Sequence, residues 1–408
     1  MEIGFSVDQR FWGKFREYWC SGGRVGGRMF PSELALRISD KERLIGQGKP
    51  IASDVSPLDK GDPDFNTPEH ICAAAYQAMR DGYTHYIPGA GDPELIEAVC
   101  DNLKADYPCD YKPSGVIITN GGAEGIFLSC AAFLSPGDEI MVFTPGYSLY
   151  AGCALMVGAV PVWVELTEDF RIDRDEVRKA VTRRTKAICI NNPNNPTGTF
   201  FTQAEIEFLA DLAEEHDLLL ISDEVYRKLY YDGGKHFCIG SIPEIRNRAI
   251  LIDSFSKTYA MTGWRIGYVA TTTELAQPMY AVHRTTLSCI NWPAQRAALA
   301  ALHGPQDFVT HMVAEYDRRR KAIIRRLETI PGLSCRMPNS AFYFFGRFRA
   351  KMRSAEMVDY LYEKKVAVRS GTEFGHRGEG WIRLSYAVPF GKVMEGIDRL
   401  EAALKKIE

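Results

Sequence analysis

The sequence predicts an α/β protein: a three-layer α/β/α large domain built on a mostly parallel sheet, joined to a smaller α+β domain. From about residue 114, short apolar runs bounded by turn residues alternate with segments carrying apolar residues at i, i+3 and i+4. Runs that are apolar throughout mark strands covered on both faces, the habit of parallel sheets. The chain has 408 residues, more than the ~250–300 at which one core stops growing, so two domains are expected. Near residue 300 the pattern changes to a long polar helix followed by short strands, which suits a second α+β layer.

Taken in order, Val116-Ile117-Ile118-Thr119 reads as a buried strand, followed by a glycine turn and a helix through Ala123–Leu134. Pro136-Gly137-Asp138 breaks the chain before the strand Glu139–Phe143. Further strands are predicted at Pro161–Leu166, Lys186–Ile190, Leu218–Ser222, Ala249–Ile252 and Gly267–Ala270, with a helix over Gln203–Glu215. Beyond residue 300 come a helix at Asp307–Thr329, strands at Ala341–Phe345, Val366–Val368 and Trp381–Ser385, and helices near 354–364 and 390–406. The domain reading is an arm over 1–33, a small domain from 34–61 and 301–408, and a large domain over 62–300. The arm holds Trp12, Trp19 and the glycine-rich run Gly22–Gly27.

Composition excludes several classes. Lys and Arg number 49 against 52 Asp and Glu, a net charge of −3, and no long basic run is present, so nucleic acid is not an expected partner. No stretch of roughly 18 apolar residues implies a membrane span, and the N-terminus lacks the layout of a signal peptide. Ten cysteines occur without a C-x-x-C pair, several inside apolar runs such as Ala187-Ile188-Cys189-Ile190. Buried thiols of this kind act as small hydrophobes, so reduced cysteines in a cytoplasmic protein are expected. The eight histidines show no ligand spacing, and no metal site is predicted.

Four polar clusters follow strands of the large domain, where open parallel sheets bind ligands. Thr119-Asn120-Gly121-Gly122-Ala123-Glu124 is a strand, a glycine turn and a helix start, which can cradle an anion or be a plain turn. Asn191-Asn192-Pro193-Asn194-Asn195-Pro196-Thr197-Gly198 is a loop dense in amides. Ser222-Asp223-Glu224-Val225-Tyr226 puts two carboxylates just past a strand; a buried carboxylate needs a cation, while the plainer reading is a helix cap. Asp253-Ser254-Phe255-Ser256-Lys257 carries a lysine flanked by hydroxyls, with Arg265 eight residues on. A single lysine is ordinarily a solvated side chain. In company with the other three clusters it becomes a candidate Schiff-base amine.

In this order and spacing the clusters resemble the class I and II aminotransferases, the fold-type I pyridoxal 5′-phosphate enzymes of the aspartate aminotransferase superfamily. Ser254-Phe255-Ser256-Lys257 with Met261-Thr262-Gly263-Trp264-Arg265-Ile266-Gly267-Tyr268 is similar to that family's cofactor-lysine signature. Gly61-Asp62-Pro63-Asp64-Phe65 and Arg383-Leu384-Ser385-Tyr386 extend the resemblance from about residue 35 to the C-terminus. It implies that Lys257 forms the internal aldimine and shuttles a proton, that Asp223 pairs with the pyridine nitrogen, and that Asn195 and Tyr226 hydrogen-bond O3′. It further implies that Gly122, Ala123, Ser254, Ser256 and Arg265 hold the phosphate, that Tyr147 stacks on the pyridine, and that Arg383 and Gly61 take the substrate α-carboxylate. Tyr86 would reach the phosphate of a neighbouring subunit, which implies a homodimer with shared sites.

The expected reaction is transfer of the amino group of an L-amino acid to a 2-oxo acid. Other pyridoxal phosphate chemistry (elimination, cyclisation, oxidase or lyase) is the alternative; a non-catalytic cofactor-binding protein would tend to lose Lys257 or Arg383. Bacterial aspartate aminotransferases of this subgroup often carry a lysine where this chain has Ala123. Arg284, in His283-Arg284-Thr285-Thr286, falls near another subgroup's distal-carboxylate arginine, so an acidic or polar substrate is expected.

Overall fold

The computed structural model describes residues 52–407, together with Ser32 and Leu34. The predicted arm over 1–33, apart from Ser32, and the first part of the small-domain segment 34–61 lie outside the described residues. The short strand β1 (Ser56–Pro57) runs parallel to β11 (Val366–Ala367), so the segment leading into Gly61 is tied to the C-terminal third of the chain.

A seven-stranded sheet is built from β2 (Val116–Thr119), β3 (Glu139–Thr144), β4 (Val160–Glu165), β5 (Thr185–Asn191), β6 (Leu219–Asp223), β7 (Ala249–Ser254) and β8 (Gly267–Ala270). Their order is β2-β8-β7-β6-β5-β3-β4. β8 is antiparallel to both of its neighbours, and the other described pairings are parallel. Alternation along each strand sends residues to opposite faces. Ile118, Met141, Ile188, Leu220 and Leu251 join one apolar cluster, while Ile117, Ile140, Val142, Cys189, Ile221 and Ile250 join another beneath the opposite layer of helices. Helix starts are chemically marked: Thr202 and Glu205 form a capping box at Gln203–Glu215.

A four-stranded antiparallel sheet follows, from β9 (Leu333–Cys335), β10 (Tyr343–Phe348), β12 (Arg369–Ser370) and β13 (Trp381–Ser385), in the order β12-β13-β10-β9. It packs with the helices Asp307–Leu327, Ser354–Glu363 and Phe390–Leu404 around a third cluster centred on Tyr316, Phe342, Phe344 and Leu384.

The observed bounds differ from the predicted ones in instructive places. The helix expected from Ala123 begins at Gly121 and ends at Phe133, because backbone N–H groups of the glycine turn already belong to it. The strand expected at Ala341–Phe345 starts at Tyr343 and runs on to Phe348. Of the run Val366–Val368 only Val366–Ala367 form a strand, β11; Val368 lies outside it, and the next short strand, β12, starts at Arg369 in a different sheet. The helix from Asp307 reads as polar, yet Arg319 and Arg320 are buried in it. Arg319 pairs with Asp64 and donates to the carbonyls of Tyr386 and Val388; Arg320 pairs with Asp232 and Asp317. Each buried guanidinium thus has carboxylate partners that offset part of the cost of burying its charge. Among the described residues no helix is long and apolar enough to cross a membrane, and no group of three ligand-type side chains could hold a metal ion.

Candidate active site

The carboxyl ends of β5, β6 and β7, the start of the helix Gly121–Phe133 and the four-stranded sheet meet at a cavity of about 460 Å³. All the residues singled out from the sequence line it except Tyr86 and Arg284. The two exceptions are exposed, Tyr86 at 88% and Arg284 in the last turn of the helix Thr273–Leu287.

One end of the cavity is an anion cradle. Gly121 has φ +73°, and a Cβ there would lie 2.6 Å from Arg265 Nη2, so the missing side chain lets the guanidinium lie against the helix start. Arg265 itself takes a left-handed backbone (φ 54°) and donates through Nη1 to the Thr262 carbonyl at 3.0 Å. Ser254 Oγ lies 2.8 Å from Ser256 Oγ and caps the short helix Phe255–Thr258. Helix N–H groups, two hydroxyls and an arginine in one corner suit a phosphate.

The middle holds Asp223, Lys257 and two tyrosine pairs. Asp223 closes β6, is buried, and accepts through Oδ2 from the Tyr150 hydroxyl at 2.8 Å. Burial pushes its carboxyl up to about 6, against the Tyr150 and Val225 hydrogen bonds, which favour the ionised form. Lys257 Nζ donates to the Gly61 carbonyl at 2.6 Å, and burial, helped by Arg383 and Arg265, brings its amine down to about 8. Such an amine is largely available as a nucleophile at mildly alkaline pH, whereas a solvated lysine is not. Tyr226 and Tyr343 share a hydroxyl contact at 2.8 Å, and Tyr147 packs edge-on against Tyr150. Gly61 is small for a reason: a Cβ there would collide with the Tyr343 hydroxyl.

The far end presents a buried arginine. Arg383, on β13, is buried, donates to Asn195 Oδ1 at 3.0 Å and to the Asp59 carbonyl at 2.6 Å, and stacks over the Tyr343 ring at 4.5 Å. Its Nε is buried with no hydrogen-bond partner. An unsatisfied buried donor costs about 1–3 kcal/mol, and a carboxylate would satisfy it. Because Asn195 Oδ1 accepts from Arg383, the Asn195 amide nitrogen is left to donate elsewhere.

Sequence reasoning missed Tyr150, Tyr343, Asp59, Arg369, Glu373 and Phe374, all of which line the cavity. Tyr150 had a local signal, three residues after Tyr147 at helical spacing. Tyr343 carried only the alternation of its strand, and the others are brought in by pairing between distant segments.

The sequence matches the family described as aminotransferase class I and II over residues 53–400. It is 41% identical over 360 residues to an aspartate aminotransferase of Pyrococcus abyssi (strain GE5 / Orsay), covering 86% of this chain and 92% of that protein. It is 39% identical over 375 residues to aromatic-amino-acid aminotransferase 2 of Thermococcus litoralis, covering 90% and 96%. The fold superposes on the crystal structure of an aromatic aminotransferase from Pyrococcus horikoshii OT3 with a TM-score of 0.85 at 38% identity, covering 90% of this chain and 99% of that one. The chain therefore belongs to the aminotransferase class I and II family, whose members use pyridoxal 5′-phosphate, and it is a pyridoxal-phosphate-dependent aminotransferase.

Proposed function

From that family membership, we propose that the protein moves the amino group of an L-amino acid with an acidic or polar side chain to a 2-oxo acid, and that it works as a homodimer in the cytoplasm. One observation carries the reading: a lysine amine brought down to about 8, a buried carboxylate and an arginine with an unsatisfied Nε face one cavity. The donor set fits pyridoxal 5′-phosphate. In this reading Gly122, Ala123, Ser254, Ser256 and Arg265 hold the phosphate, and Tyr147 lies against the ring. When bound, the cofactor supplies an aldehyde that takes up the amino group and a ring that accepts electrons from the substrate Cα.

The protein's own groups do the rest. Asp223 holds the proton on the pyridine nitrogen, which gives its buried charge the cation it needs. Asn195 and Tyr226 hydrogen-bond the ring oxygen O3′. Lys257 Nζ binds the cofactor and then moves the proton between substrate Cα and cofactor C4′. Arg383 and Gly61 fix the α-carboxylate, so the Cα–H bond is presented to Lys257. The acidic or polar side chain is supported by the relatives named as aspartate aminotransferases.

The exposure of Tyr86 and Arg284 supports a dimer in which the Tyr86 hydroxyl would reach the partner's phosphate site and Arg284 would border the partner's cavity. Buried thiols such as Cys130 and Cys189, packed as hydrophobes, support the cytoplasmic setting.

The holoprotein should show a visible band that borohydride abolishes and that Lys257→Ala lacks. A panel of amino acids with 2-oxoglutarate should then yield glutamate, fastest from acidic or polar donors. A colourless holoprotein, or substrates that quench the band without glutamate appearing, would overturn this reading.

A further inference from the structure

A buried imidazole stands beside the anion cradle without lining the cavity. His283, in the helix Thr273–Leu287, is 0% exposed and joins two segments far apart in the sequence. Its Nδ1 lies 2.7 Å from Glu124 Oε1, and its Nε2 lies 2.9 Å from the Gly89 carbonyl. Glu124 belongs to the first turn of the helix Gly121–Phe133, and its side chain is only 9% exposed. Its Oε2 accepts from the Asn120 N–H at 2.5 Å, while the Asn120 carbonyl accepts from Arg265 Nη2 at 3.4 Å. The ring therefore reaches the residue that opens the cradle through a single carboxylate.

These hydrogen bonds fix a proton count. A carbonyl only accepts, so Nε2 carries a proton toward Gly89. The short contact between Nδ1 and Oε1 needs a second proton, since a ring lone pair facing a bare carboxylate would repel it. Whichever of the two groups holds that proton, the pair has no net charge. Among the described residues no lysine or arginine forms an ion pair with Glu124. Without the ring it would be a bare, largely buried anion one residue from Ala123, which lines the cavity. A carboxylate in the first turn favours the helix itself. The same charge repels the phosphate that such a turn is suited to hold.

We infer that His283 is a positioning residue for the cofactor phosphate: it neutralises Glu124, so the carboxylate can hold the Asn120 N–H without opposing the anion beside it. The inference rests on the proposed function, in which Gly122, Ala123, Ser254, Ser256 and Arg265 hold the phosphate. It deepens that reading by adding a group that acts on the ligand without touching it. The ring also holds the Gly89 carbonyl, so the cradle and the loop around Gly89 are tied together through one side chain.

The test compares pyridoxal 5′-phosphate with pyridoxal, which lacks the phosphate, as ligands of the full-length apoprotein. Dissociation constants are read from growth of the visible band. His283→Asn keeps an amide donor beside Glu124 and removes the neutralising charge. It should weaken pyridoxal 5′-phosphate by about 10- to 100-fold, the order expected of one uncompensated charge near a partly buried anion. Pyridoxal should stay within about threefold of the parent. Glu124→Gln alone should bind the phosphate ester at least as tightly as the parent. The double variant Glu124→Gln/His283→Asn has no charge left to neutralise and should return to within about threefold of the parent. A loss shared equally by both ligands would reduce the ring to a packing element and overturn the inference, as would a double variant as weak as His283→Asn. If His283→Asn does not fold, the double variant decides: folding with the parent's affinity supports neutralisation, and failure to fold overturns it. A parent that holds pyridoxal 5′-phosphate no better than pyridoxal would instead fault the phosphate site of the proposed function. A parent with no borohydride-sensitive band would fault that function outright.

Discussion

Replacing Asp223 by asparagine is expected to strengthen the apoprotein while weakening its hold on the cofactor. The carboxyl lies at the end of β6, where the Tyr150 hydroxyl, a long Val225 N–H contact at 3.3 Å and the charge of Lys257 support its ionised form. Its pKa stands at about 6 against an ordinary 3.8, so ionising it in the fold costs about 3 kcal/mol more than in the unfolded chain. The proton is bound more tightly in the folded state, so stability falls as pH rises from about 4 to 6, and the deficit is complete above 6. Asparagine keeps the acceptor for Tyr150 and carries no charge. The gain in the apoprotein at pH 8 should be about 2–3 kcal/mol, less whatever the Val225 contact contributes. Denaturant unfolding of cofactor-free protein at pH 8 and near pH 4 measures it: the variant should lead at pH 8, and the lead should close as pH falls. In the holoprotein the order should reverse, since the neutral amide no longer pairs with a protonated ring nitrogen. An apo variant no more stable than the parent at pH 8, or a difference that does not depend on pH, would refute the account of Asp223 as a charge stored for the cofactor.

Three further outcomes are expected. Capture of pyridoxal phosphate by the apoprotein, followed as growth of the visible band, should accelerate with pH and level off above about 8, because the Lys257 amine is protonated and unreactive below that value; a rate still climbing through pH 10 would mean an ordinary, solvated lysine. Gly121→Ala should weaken cofactor binding at least tenfold and lower stability by about 1 kcal/mol or more, since alanine is strained at φ +73° and its Cβ displaces the Arg265 guanidinium; equilibrium dialysis and thermal unfolding report the two effects separately. Arg383→Lys should raise KM for every amino acid donor on the order of 100-fold, because a single ammonium cannot hold Asn195, Asp59 and a carboxylate together; a change confined to kcat would argue against its role as the α-carboxylate reader.

Much of the large sheet was legible because its strands are fully apolar and short, with turn residues at their ends. The strands at Val116–Thr119, Gly267–Ala270 and Trp381–Ser385 fall where the apolar runs place them. The site residues that sequence reasoning found lie within a few positions of a strand end, where chemistry and local pattern coincide. Apart from Tyr150, what it missed depends on pairing across distance. Arg369 reaches the cavity because β12 registers against β13, and Tyr343 because β10 brings its hydroxyl against Tyr226. The helix Asp307–Leu327 misleads in another way. Its arginines look solvated by periodicity, yet Arg319 reaches Asp64 and the carbonyls of Tyr386 and Val388, partners that no local window contains.

The tie between β1 and β11 also sets an order of events during synthesis. Asp59, whose carbonyl holds Arg383, is made 324 positions before its partner, a delay of about 15–60 s at the usual pace of translation. The strands and loops of the anion cradle, residues 116–270, are complete well before that. Gly122, Ser254, Lys257 and Arg265 are therefore all present in the growing chain before Arg383 has been made. The segment around Ser56 meanwhile waits, with its parallel partner still unmade. Contacts of such long span are slow to form, so the hydrogen bond between Arg383 and the Asp59 carbonyl belongs to the late steps of folding.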